Sequence, residues 1–175
     1  MGQKSVTIYN EAIRYFLAVQ NNVIVAGSDA VPDDFHVPAD FDPEKQLLPK
    51  FQQKVYRKML ESFIKTFEEV NLRELTIESI RDIEDGLNMV RSGFFSLKEK
   101  ENDRTDKNFN VELNTVKSDL LAVNEPLKKA LAFVSAAITE FEDNGGKKTA
   151  EYRLSLEDCR DMMSEIKIQL RAWLE

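Results

Sequence analysis

The stretch 116-VKSDLLAVNEPLKKALAFVSAAITEF-141 decides how the rest of the chain is read. Its apolar residues Val116, Leu120, Val123, Leu127, Ala130, Val134, Ala137 and Phe141 alternate four and three apart. On a helix that rhythm lines them up along one side, the geometry in which helices pack lengthwise. Leu121, Leu131 and Ile138 widen the stripe and imply more than one neighbour. Pro126 interrupts it, because proline cannot donate to the carbonyl of Ala122 and its ring crowds that turn. The stripe keeps its phase through Leu120, Val123, Leu127 and Ala130, whereas a true break would reset it. The spacing therefore predicts one bent but continuous helix.

The same period recurs on both sides. Upstream, Tyr9, Ala12, Ile13, Phe16, Leu17 and Gln20 share one side of a first helix over 6–21, with Asn10, Glu11 and Arg14 opposite and Ser5 as its N-cap. Phe51, Val55, Met59, Phe63 and Phe67 recur at four-residue steps over 49–70, and Tyr56, Leu60 and Ile64 broaden that face. A face that wide predicts the most buried element. Thr76 caps a further helix carrying Ile80, Ile83, Leu87, Val90, Phe94 and Leu97, beside a column of small residues, Ser79, Gly86 and Gly93. Glycine inside a helix costs about 1 kcal/mol relative to alanine, so two in one column point to close approach by a neighbour or to a crevice. The last helix begins near Thr149 and carries Tyr152, Leu156, Cys159, Met163, Ile166, Leu170 and Trp173 in one stripe.

Short connections at 71–75 and 144–148 make neighbouring helices antiparallel. Asn144, Gly145 and Gly146 suit a helix C-cap and tight turn. The expected fold is all-α: an antiparallel up-and-down bundle of four long helices, with an additional N-terminal helix and a long acidic, proline-containing loop. Residues 1–175 read as a single domain, with 98–109 as an exposed charged loop.

Charge is informative by position. The 175 residues carry 31 acids and 24 bases, a net charge of −7. Six of the acids, Asp29, Asp33, Asp34, Asp40, Asp42 and Glu44, fall within 28–44, where there is no lysine or arginine. The rest of the chain is close to neutral, which disfavours nucleic acid as a partner. In the same loop Pro32, Pro38 and Pro43 forbid a continuous helix, and Asp42-Pro43-Glu44 reads as the start of a short helical turn. No run approaches the roughly 18 apolar residues of a membrane span. A secretory leader is not legible, and Val6 stands where a myristoylation motif needs a hydroxyl. A single cysteine and no membrane partner lead to the expectation of a cytoplasmic location.

Candidate chemistry is sparse. A di-metal bundle needs Glu-x-x-His pairs on two helices, and the only histidine is His36, in the loop. Haem attachment, a helical phosphotransfer histidine and an Arg-x4-His nuclease motif fail on the same count. Gly145-Gly146 lacks the spacing and the Lys-Ser/Thr of a phosphate loop. Cys159 lies on an apolar stripe with no histidine to activate it. Asp82/Asp85 and Glu140/Asp143 read as solubilising pairs on polar faces. His36 with the loop aspartates offers metal-ligand types without the spacing of a calcium loop, so neither metal nor cofactor is expected.

What remains is recognition. Phe35 and Phe41 can serve as apolar anchors while Asp33, Asp34 and Asp40, with His36, steer a basic protein. The leading expectation is a non-enzymatic interaction or assembly component, for which an antitoxin-like or immunity-like role would suit, with homo-oligomers forming through helix faces. The alternative is a bundle that binds a small ligand in a crevice beside Gly86 and Gly93.

Overall fold

Six helices follow one another in the computed structural model, which describes residues 2–28, 30–99 and 107–174. They are α1 (Gln3–Gln20), α2 (Pro43–Gln46), α3 (Pro49–Glu69), α4 (Ile77–Glu99), α5 (Lys107–Asp143) and α6 (Ala150–Leu174). The four-residue steps along α3 bring Phe51, Val55, Met59, Phe63 and Phe67 into the interior, and Tyr56, Leu60 and Ile64 join them. A full burial of this kind contributes about 1.5–3 kcal/mol per large side chain. The buried arc is wide enough that α3 meets α1, α4, α5 and α6. Helix α5 runs unbroken through Pro126. Val116, Val123, Leu127, Ala130, Val134 and Ala137 of its stripe are all buried. On α6, Tyr152, Leu156, Cys159, Met163, Ile166 and Leu170 are buried as their spacing predicts.

The four-helix expectation is corrected by α1. This helix packs on both α3 and α4, and its Ala12, Ile13, Phe16 and Leu17 belong to the same hydrophobic cluster as α3 to α6. It is a wall of the core. With α2 added, the described residues form a six-helix all-α assembly with extensive packing between helices. A simple up-and-down bundle of four long helices with one appended is not the architecture. The physical reason is the width of the α3 face, which three long partners leave partly uncovered.

Helix α1 is also fixed at its start in a way that local capping rules miss. It begins one turn earlier than its apolar period, with Gly2 at the N-cap position and no side-chain cap of its own. Two carboxylates of α4 supply the missing acceptors. Asp85 Oδ2 accepts from the Gly2 amide at 2.6 Å, and Asp82 Oδ1 accepts from the Ser5 amide at 3.2 Å. Ser5 is buried, and its hydroxyl donates to the Asp82 carbonyl at 2.7 Å. Ser5 is thus a contact between helices, and Asp82/Asp85 are acceptors for free helix amides rather than a solubilising pair.

The charged connection is shorter than its composition suggests. Lys98 and Glu99 are the last residues of α4, and Lys107, Asn108 and Phe109 open α5; the rest of that expected loop, 100–106, lies outside the described residues. At the opposite end, Lys148 Nζ donates to the carbonyls of Arg73 (2.8 Å) and Leu75 (2.7 Å) and so ties the two short connections together. Among the described residues, no helix is long and apolar enough to cross a membrane.

Candidate functional site: an acidic strap on the first helix

After α1 the chain reverses through Asn22 (φ 59°) and Gly27 (φ 93°), both in the left-handed region that favours small or amide side chains. It then returns along α1 as an extended strap. The Tyr15 hydroxyl accepts from the Gly27 amide at 3.1 Å. Arg14 donates from Nη2 to the Pro32 carbonyl (2.6 Å) and from Nε to the Phe35 carbonyl (3.1 Å). Two turns open at proline carbonyls, with Phe35 N donating to Pro32 O and Phe41 N to Pro38 O, each at 3.0 Å. Between these ties Phe35, Val37 and Phe41 are half-buried and pack against the core.

The strap's far end is clamped by amide side chains. Asp42 caps α2 by accepting from the Glu44 amide at 3.0 Å. Gln20 donates to the Gln46 carbonyl and accepts from the Leu48 amide, both at 2.9 Å. Gln52, buried on α3, donates to the Leu47 carbonyl at 2.7 Å. Leu47 itself is buried. The connection is therefore docked on its own bundle by backbone hydrogen bonds and by its aromatic residues.

What the docking leaves outside is charge. Asp33, Asp34, His36 and Asp40 are exposed, and none of the four side chains makes a hydrogen bond or ion pair with another described residue. Arg14 satisfies carbonyls of the strap and so does not neutralise these carboxylates. The acidic field also reaches inward. The Tyr9 hydroxyl is held above its ordinary pKa, first by burial and then by Glu44 and Asp42. Tyr56 behind it is raised further by burial, with Tyr9 and Glu44 adding to the effect. Both phenols stay neutral around pH 7.

The other sequence candidates are placed as follows. Gly86 and Gly93 are buried, and a Cβ built on either would overlap an aromatic ring of α3, Phe63 at the first and Tyr56 at the second. The space beside the glycine column is filled by this chain's own rings. Cys159 is fully buried, and burial pushes its thiol up to about 12. Glu140 accepts from Thr149 Oγ1 and from the Asn144 amide group, both at 2.8 Å, and so supports the turn into α6. Among the described residues, no group of three or more His, Cys, Asp and Glu side chains could hold a metal ion. The side chain of Trp173 lies outside the described residues.

Sequence reasoning missed the residues that organise the strap. Arg14 sits at a polar position of α1 and carries no pattern that marks it as an anchor. It also passed over a row on α3: Lys50, Lys54 and Lys58, one helical turn apart, with their ammonium groups over aromatic rings. Lys50 and Lys54 lie 5.2 and 5.8 Å from the Phe51 centroid, and Lys58 lies 4.6 Å from Tyr15 and 5.6 Å from Phe16. The four-residue spacing was visible; the rings beneath it come partly from α1. No family model matches the chain, and neither does any curated protein or solved structure.

Proposed function

We propose that the chain is a non-enzymatic interaction component that holds out the acidic strap, 28–44, to a basic protein surface. The observation that carries this reading is the division of labour along the strap. Its backbone and half-buried rings are spent on α1 and the core, while Asp33, Asp34 and Asp40 stay exposed and unpaired among the described residues. A tethered strap loses less conformational entropy on binding than a free one. Its exposed charges steer an oppositely charged partner and set the register of docking. Each exposed pair contributes about 0–1 kcal/mol, so the association is salt-sensitive and depends on several acids together. Phe35 and Phe41 are half-exposed and add apolar rim contacts.

The test is the triple reversal Asp33→Lys, Asp34→Lys, Asp40→Lys, which leaves every tether in place. Wild-type protein is expected to form zero-length carboxylate-to-lysine cross-links from the strap to a basic protein at low salt. The variant is expected to lose them while keeping its melting temperature. Capture of the same proteins by both forms would overturn the reading.

A further inference from the structure

The lysine row on α3 has the charge that the strap lacks. Basic residues beside it pair along the helix, Arg57 with Glu61 at 3.6 Å and Lys65 with Glu69 at 3.9 Å. Lys50, Lys54 and Lys58 do not: among the described residues no carboxylate pairs with them. They are held instead over a continuous aromatic row in which Tyr15 meets Phe16 edge-on at 5.0 Å and Phe16 stacks on Phe51 at 6.0 Å. Cation–π contacts of this kind orient an ammonium group without neutralising it. Four-residue steps on a helix are about 6 Å each, so the row spans about 12 Å.

The row and the strap border the same helix. Arg14 of α1 holds the strap and its neighbours Tyr15 and Phe16 support the lysines. Both are anchored, and among the described residues Asp33, Asp34 and Asp40 make no ion pair with these lysines. Each molecule therefore carries two opposite sets of charge, Asp33, Asp34 and Asp40 on the strap and Lys50, Lys54 and Lys58 on α3, that are unpaired among the described residues. We propose that the basic partner of the strap is the lysine row of a second copy of this chain, an inference that rests on the strap being a recognition surface. A two-fold arrangement lets strap meet row twice, the self-complementary condition of an isologous dimer. Charge complementarity selects this occupant. Asp33, Asp34 and Asp40 on the strap and the three lysines on α3 are opposite in sign, in a chain whose overall charge of −7 would otherwise drive copies apart.

The experiment is sedimentation velocity over a concentration series, on wild type, on Lys50→Glu/Lys54→Glu/Lys58→Glu, and on the strap triple reversal. At low salt the wild type is expected to form a concentration-dependent dimer that dissociates at about 1 M salt, where the screening length is about 3 Å. Each reversal alone is expected to be monomeric. An equimolar mixture of the two reversals is expected to recover the dimer, because both contacts are then opposite in charge. The strap variant changes exposed side chains only, so its prediction stands even if the lysine variant fails to fold. A wild type that stays monomeric at low salt, or a dimer that survives the strap reversal, would overturn the proposal. If the wild type is monomeric yet its strap still cross-links to a foreign basic protein, only the self-association falls and the strap reading stands.

Discussion

Two regions of this molecule place aromatic rings against the bundle, and they do so on different physical terms. Between α3 and α4, Phe63 and Tyr56 lie over Gly86 and Gly93, and all four residues are buried. The fit is one of shape, and a single added carbon would have to displace a ring. On the strap, Phe35 and Phe41 are half-buried, and position comes from hydrogen bonds that reach the backbone from Arg14, Gln20 and Gln52. The first region holds the molecule together. The second can change its outward side chains at little cost, which is the property a recognition surface needs.

The largest expected effect is alkaline and lies outside both regions, in the buried stripe of α6. Burial pushes Cys159 up to about 12 from an ordinary value of 9.0. Below the ordinary range the thiol is protonated in both folded and unfolded chains, and its contribution is complete. As pH rises from there towards 12, only the unfolded chain releases the proton, so stability falls, by about 4 kcal/mol at the upper end for a three-unit shift. Urea unfolding as a function of pH should show the decline, and Cys159→Ala should lessen it, leaving the share of the Tyr56 and Tyr9 phenols, which burial also raises. An unchanged slope in the variant would remove Cys159 from the account.

Next in size is the glycine seam. Gly86→Leu should cost about 3 kcal/mol or more, because overpacking against Phe63 outweighs the gain of about 1 kcal/mol in helix propensity. A neutral result in denaturant unfolding would mean that the ring has somewhere to go. Smaller again is Gln20→Ala, which removes one hydrogen bond to the strap and leaves the Leu48 amide without its acceptor. A loss of about 1–2 kcal/mol is expected, with faster proteolysis confined to 27–48. The smallest is the strap triple reversal, which should shift unfolding by no more than about 0.5 kcal/mol, since these side chains make no contact the fold depends on.

The sequence was most legible where one helix face had to be apolar. The period through Val116, Val123, Leu127 and Ala130 carried α5 across Pro126 without a break, as the structure has it. The four-residue steps of α3 and the stripe of α6 are equally faithful to burial. The place of α1 was not legible, because amphipathicity says that a face is covered without saying by how many neighbours. Arg14, Gln20 and Lys148 escaped for a different reason. Each bonds to backbone carbonyls far along the chain, and a carbonyl acceptor leaves no mark on the identity of the residue that carries it. Asp82 and Asp85 looked like surface acids because their partners are the free amides at the start of another helix. The composition of 28–44 did mark the strap, whereas Phe35 and Phe41, read as apolar anchors for a partner, pack against this chain's own core.

The claim that seam and strap are separable is tested most directly by amide hydrogen exchange on wild type and Arg14→Ala. Removing the guanidinium should free the amides of Phe35 and Phe41, which close the two proline turns, while protection around Phe63 and Gly86 stays at the wild-type level. Loss of protection at both places, or at neither, would contradict the account.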